Sequence, residues 1–370
     1  MAVPIAARSA AAVLGALLVL TAWSSVVGTL IVPRPVSSWL VRWVDRIVNR
    51  VFWLAGGLTA DYRTRDRVLA TQAASVLLAQ LAAWLGISFA GFALLLWPFV
   101  SHGIGGAFTN AGSSMFTLGF AEPDAGVPLA VVFIAAATGL IIVALQIGYL
   151  PALYAAFNRR ETEVALLNSR AGVPSWGPEL LARTHYALGT GVSTLDSLPE
   201  LYGRWERWAA DVAESHTTYL PLVRFRSPRP LSSWVTALLA VLDSAALLLA
   251  LSPDSAPEVP ARLCLRGGFL CFDQIAQAMG LDVPDLQHVD KSAGSAVTYE
   301  EFLGAVDRLR EVDFPLERDP ADAWPDFVGW RVNYERAAYA LAATVDAVPA
   351  LWSGPRRRSV EQIPPVRPPK

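Results

Sequence analysis

The sequence predicts an all-α membrane protein: a bilayer-embedded first half followed by a soluble helical second half. Three observations lead there. Between Val68 and Asn158 the only formal charges are Glu122 and Asp124. The apolar runs on either side of that acidic pair each exceed the ~20 residues a helix needs to cross a hydrocarbon core of ~30 Å. Charged residues make up 17% of the chain, against about 25% in ordinary soluble domains. They are scarce before Asn158, one Arg-rich stretch aside, and return after it.

Taken in order, the first segment (1–67) opens with an apolar run from Ala10 to Val32, preceded by Arg8. It reads either as a signal peptide or as a retained helix. No small-x-small cleavage site follows it, and Trp23 stands where one would be expected, so a retained helix is preferred. From Trp39 to Leu54, Leu40, Trp43, Val44, Ile47, Val48 and Val51 recur at helical spacing, while Arg42, Asp45, Arg46, Asn49 and Arg50 fill the opposite side. This is a basic amphipathic helix with Trp anchors. Two roles stay open: an interfacial helix that transmits tension or gating, and a docking helix that only anchors the chain.

The second span runs from Val68 to Val100, 33 residues without a charge, long enough to tilt or to project from the bilayer. The third runs from Val127 to Phe157 and is stopped by Arg159 and Arg160, with Gly139, Gly148 and Pro151 as bend points. Positive charge orients the spans. Arg34, Arg42, Arg46, Arg50, Arg63, Arg65 and Arg67 outnumber Asp45, Asp61 and Asp66 between 33 and 67, whereas 101–126 holds no Lys or Arg. The first loop is therefore expected inside, the second outside, and the domain after Arg160 in the cytoplasm of a multi-pass cell-membrane protein.

The outer loop, Gly103 to Pro123, is built of small and hydroxyl residues and carries no charge before Glu122. Non-helical backbone at membrane depth survives only where protein buries it or water lines it. A short re-entrant helix over Ala107–Phe116 is expected, followed by a tight extended strand. The partial negative charge at the end of such a helix would favour a cation, and the next carbonyls could replace the cation's hydration shell. A helical hairpin whose Gly-rich connection merely packs tightly is the plainer alternative.

Thr117-Leu118-Gly119-Phe120 resembles the Thr-Val-Gly-Tyr core of potassium-channel selectivity filters, and its setting of outer helix, pore helix, filter, acidic residue and inner helix is similar too. The resemblance covers 68–158, about a quarter of the chain, and looks closest to bacterial two-helix pore modules. It implies a potassium-channel-like pore module with an extra N-terminal transmembrane helix and an all-α cytoplasmic domain. Thr117 would supply the innermost hydroxyl and carbonyl ligands, and Leu118, Gly119 and Phe120 the carbonyls above. Glu122 stands where the family has Asp, Gly139 would be the inner-helix hinge, and the permeant ion would be a monovalent cation such as potassium, with no other cofactor. A single loop cannot enclose a filter, so a homotetramer surrounded by membrane lipid is implied. Two positions depart from the pattern. Phe116 replaces a Thr, and Ala121 replaces a Gly, where a side chain costs ~1 kcal/mol or more in left-handed backbone; a degenerate filter is expected. Glu122 and Asp124 would form an acidic ring at the mouth, or are ordinary solvated carboxylates. The implied function is a cation channel; the alternative is a non-conducting membrane sensor or scaffold with a degenerate loop.

The soluble half (159–350) reads as helices over Glu161–Arg170, Pro178–Leu188, Leu195–Glu214, Ser232–Leu251, Ser295–Val312 and Trp324–Val348, broken by Gly and Pro. Ser232–Leu251 is either a fourth span or a buried core helix. Asp243 near its centre would cost ~2.5–3.5 kcal/mol in a bilayer, so the core helix is preferred. No Gly-x-Gly-x-x-Gly follows a strand and no phosphate loop occurs. His185, His216 and His288 lack ligand spacing, and Cys264 and Cys271 read as buried small hydrophobes rather than a metal site. No enzyme constellation is legible. A net charge of -2 gives no argument for nucleic acid. The Pro-rich basic tail, 351–370, is expected to be disordered, either solvated or on anionic headgroups.

Overall fold

In a computed structural model, residues 5–32, 38–59, 61–100, 102–123, 125–185, 194–283, 294–356 and 363–365 are described. Among them the fold is all-helical, with thirteen α-helices, two 3-10 turns and no strand. Four helices are long and apolar enough to cross a membrane: Ala6–Leu30, Tyr62–Leu96, Val127–Ala171 and Trp234–Leu251. The chain divides into two compact units, one of residues 1–58 and 71–154, the other of 59–70 and 155–370.

The first unit holds α1 (Ile5–Leu30), α2 (Trp39–Gly57), α4 (Gln72–Leu96), α5 (Gly103–Met115) and the first part of α6 (Val127–Ala171). α1 crosses α4 with backbones in contact. A Cβ on Gly15 would lie 2.5 Å from the Gly91 carbonyl oxygen, and one on Gly91 would lie 2.9 Å from that of Gly15. Small residues serve this purpose where lipid offers no hydrophobic drive for association. Buried polar groups add specific ties: Trp84 Nε1 donates to Ser25 Oγ at 2.9 Å, and Trp23 Nε1 to Thr138 Oγ1 at 3.2 Å.

α2 meets α4 through Asp45 and Asn49. Gln80 Nε2 on α4 donates to Asp45 Oδ1 at 3.2 Å, and Gln72 Nε2 to Asn49 Oδ1 at 2.7 Å, beside the buried Leu40 and Val41. Trp43, Ile47 and Val51 stay exposed. The helix thus docks through two polar side chains and the apolar Leu40 and Val41, and leaves arginines as well as large apolar side chains exposed.

The second unit includes α3 (Tyr62–Ala70), which takes in the end of the expected basic loop and the first three residues of the expected second span. The Arg226 guanidinium holds it, reaching the Asp66 carboxylate, the Tyr62 hydroxyl (2.9 Å) and the Val345 carbonyl (2.8 Å). The expected third span and the expected helix 161–170 are one element: α6 runs for 45 residues through Arg159 and Arg160 to Ala171. Both arginines find partners on the way. Arg159 pairs with Asp211 at 3.0 Å. Arg160, fully buried, pairs with Glu161 and donates to the carbonyls of Leu222 (2.8 Å) and Phe225 (2.7 Å).

α7 (Gly177–His185), α8 (Leu198–Thr218), α10 (Glu258–Ala278), α11 (Tyr299–Arg310), α12 (Pro320–Arg331) and α13 (Glu335–Thr344) surround α9 (Trp234–Leu251), of which every residue but Leu249 is buried. α9 is therefore sheathed by protein. Asp243 at its centre pairs with the buried Arg331 and accepts from the Tyr334 hydroxyl at 2.7 Å. Arg331 also reaches Glu335 (2.9 Å) and the Trp352 carbonyl (2.6 Å). A buried charge is tolerable only when paired and hydrogen-bonded. The expected helix 324–348 is two helices, α12 starting at an Asp319 cap followed by Pro320. The packed chain continues through Arg356, whose guanidinium donates to the carbonyls of Ala347 (3.0 Å) and Ser353 (2.7 Å). Cys264 and Cys271 are buried in α10 as free thiols. His288 and the side chain of His185 lie outside the described residues, as do 357–362 and 366–370 of the tail.

His216 is buried with Nε2 at 2.9 Å from the Arg160 guanidinium. Arginine only donates, so Nε2 accepts and the ring is neutral. Burial, and then the Arg160 charge, hold its pKa well below the ordinary histidine value. The unfolded chain takes up a proton below about pH 6.5 that the folded chain refuses, so this contribution is present above that pH and is lost below it. We expect the unfolding temperature of the purified protein to fall as pH is lowered from 7.5 towards 5, and the slope to flatten in His216→Gln; an identical slope in the variant contradicts the assignment.

Candidate functional site

The loop between α5 and α6 is organised by Ser113. The Ser113 carbonyl accepts from the backbone N–H of Leu118 at 2.8 Å and of Gly119 at 3.2 Å. Its Oγ accepts from the N–H of Phe120 and of Ala121, each at 3.0 Å. Four successive amides thus converge on one residue. Thr117 (φ 53°) and Gly119 (φ 71°) occupy left-handed backbone, the alternation that gathers successive N–H groups into a nest. In a trans peptide the C=O points opposite to the N–H. The carbonyls of Thr117, Leu118, Gly119 and Phe120 therefore point away from Ser113. Among the described residues they accept no hydrogen bond.

α5 spans Gly103–Met115, four residues earlier at its start than expected. Its apolar residues Ala107, Ala111 and Met115 pack with Phe92, Leu96, Val132 and Ala135. Phe89 of α4 contacts the rings of Phe108 (5.3 Å) and Phe116 (5.7 Å), so Phe116 folds back onto α4. The end of α5 differs from the expected bare negative pole. The carbonyls of Gly112 and Ser114 accept from the N–H of Phe116 and Thr117, and that of Ser113 from Leu118 and Gly119.

Gly139 lies inside α6, which is helical through it. A Cβ there would stand 2.1 Å from the Met115 carbonyl oxygen. The inner helix thus meets the end of α5 at backbone distance, and no other residue fits at 139.

The remaining site residues are placed as follows. Leu118 is 62% and Phe120 66% exposed, and Thr117 and Gly119 beside them are exposed too. Ala121 is half-buried and stays out of left-handed backbone, so the strain expected there falls on Thr117 instead. Glu122 is exposed, and Asp124 lies outside the described residues. Ser113 was not singled out from sequence. Nothing there separates it from Ser114, whose hydroxyl bonds within its own helix to the Asn110 carbonyl at 2.8 Å.

Fold and loop together define an all-helical chain with the apolar helices of a multi-pass membrane protein and a short helix-and-loop between two of them. Comparison with family models, curated proteins and solved structures finds no match to this chain.

Ser113→Ala removes the hydroxyl acceptor and keeps the carbonyl. Amide exchange should quicken at Phe120 and Ala121 and stay slow at Leu118 and Gly119, with a stability loss of about 1–3 kcal/mol from the orphaned amides. Uniform exchange along 118–121 in the variant would contradict the nest.

Proposed function

We propose that this chain is one subunit of a homotetrameric, potassium-like cation channel of the cell membrane, in which the carbonyls of Thr117, Leu118, Gly119 and Phe120 line the conduction path. The loop faces outward, and residues after Arg160 form a cytoplasmic domain. The observation that carries the reading is the gathering of four amides on Ser113. Backbone whose donors are satisfied on one side and whose acceptors are free on the other is what a carbonyl-lined path requires. The exposed apolar side chains of Leu118 and Phe120 support assembly, because a loop at membrane depth needs protein around it. Four copies meeting at this loop would supply that cover and close the path.

A second reading is a non-conducting membrane sensor or scaffold. The occupation of the last α5 carbonyls favours it, since a helix end already hydrogen-bonded to its own loop offers less to a cation.

Purified protein in a planar lipid bilayer separates the two. The channel reading expects a cation current that Gly119→Asp abolishes, because residue 119 sits at φ 71°, where a side chain is strained. Ala121→Gly should raise the preference for potassium over sodium. Absence of current together with a monomer in mild detergent would overturn the channel reading and leave the scaffold.

A further inference from the structure

The second unit contains a cavity of about 360 Å³ between α6 and the 227–232 segment, within the ~300–1,000 Å³ range of small-ligand sites. Phe157, Ala165 and Pro228 give it an apolar lining. One charged group beside it lacks an ion partner. Arg229, exposed at the mouth, has no ion pair among the described residues. The one carboxylate on the wall, Glu161, is neutralised by Arg160 at 2.8 Å. Phe157 is also the last residue of the apolar run of α6, directly before Asn158, Arg159 and Arg160. The cavity wall thus includes the residue at which the charge-free run of the sequence ends and the arginines return.

We propose that this cavity binds the phosphate headgroup of an anionic phospholipid. Arg229 pairs with the phosphate oxygens, and the glycerol and first methylenes lie on Phe157 and Pro228. A free phosphate shares the charge chemistry. The lipid is favoured because the lining is mainly apolar and because the sequence ends its third apolar run at Phe157, on the cavity wall. The assignment holds whether or not the loop conducts.

The test uses the full-length chain in nanodiscs of phosphatidylcholine with and without phosphatidylglycerol, reading by native mass spectrometry which lipid stays bound. Retention of phosphatidylglycerol over phosphatidylcholine is expected, and Arg229→Gln should weaken that preference about fivefold, as the loss of one basic contact at a membrane surface gives. Ala165→Trp, which fills the cavity, should do the same; Arg229→Gln at its exposed position keeps the test if the Trp variant fails to fold. An unchanged lipid preference in Arg229→Gln overturns the proposal. So does inorganic phosphate in phosphatidylcholine discs raising the unfolding temperature as much as phosphatidylglycerol does, since the occupant would then be a soluble anion.

Discussion

The loop at 116–121 depends on one constraint: a backbone amide turned into the protein, away from water, needs a partner there. Ser113 meets this for four amides at once, two through its carbonyl and two through its hydroxyl. Planarity of the trans peptide does the rest, since fixing the N–H groups fixes the opposite direction of the carbonyls. The left-handed turns at Thr117 and Gly119 let the chain wrap one residue this closely. For Thr117 such a turn costs ~1–2 kcal/mol, and strain of this kind persists only where the surroundings over-determine it.

Those surroundings are supplied by backbone contact. Gly139 lets α6 touch the Met115 carbonyl, and Gly15 and Gly91 let α1 lie against α4. Phe89 gathers Phe108 and Phe116. The end of α5 is thereby held from the α6 side by a helix without a side chain and from the α4 side by aromatic rings. In the second unit the same principle of complete pairing acts on charges. Asp243 and Arg331 sit in a core that would exclude either alone. Arg160 sits beside a histidine that must stay neutral to accept from it.

Much of this architecture was legible in the sequence. The apolar runs, the amphipathic stretch from Trp39 and the Gly- and Ser-rich segment from Gly103 each carry a periodicity or a composition that matches one element. Asp243 pointed towards an enclosed helix because an unpaired carboxylate suits neither lipid nor core. What escaped depended on partners distant in sequence. The continuity of α6 through Arg159 and Arg160 was not legible, because the partners Asp211 and Glu161 that absorb them include one from another helix. α10 hid behind Gly267 and Gly268; Gly268 is packed closely on Leu242. Gly139 looked like a bend, and its contact with Met115 is not a property of its own helix. At the loop, the Thr-Leu-Gly-Phe run was visible, whereas Ser113 was not, because its role depends on the path the chain takes after it.

The central claim is that four carbonyls, those of Thr117, Leu118, Gly119 and Phe120, face a cation path. Solid-state NMR of the protein in lipid bilayers, with 13C at those four carbonyls, tests it most directly. Exchange of potassium for a large organic cation should shift all four resonances and leave the carbonyl of Ser113 unmoved. Four resonances indifferent to the cation would contradict the account.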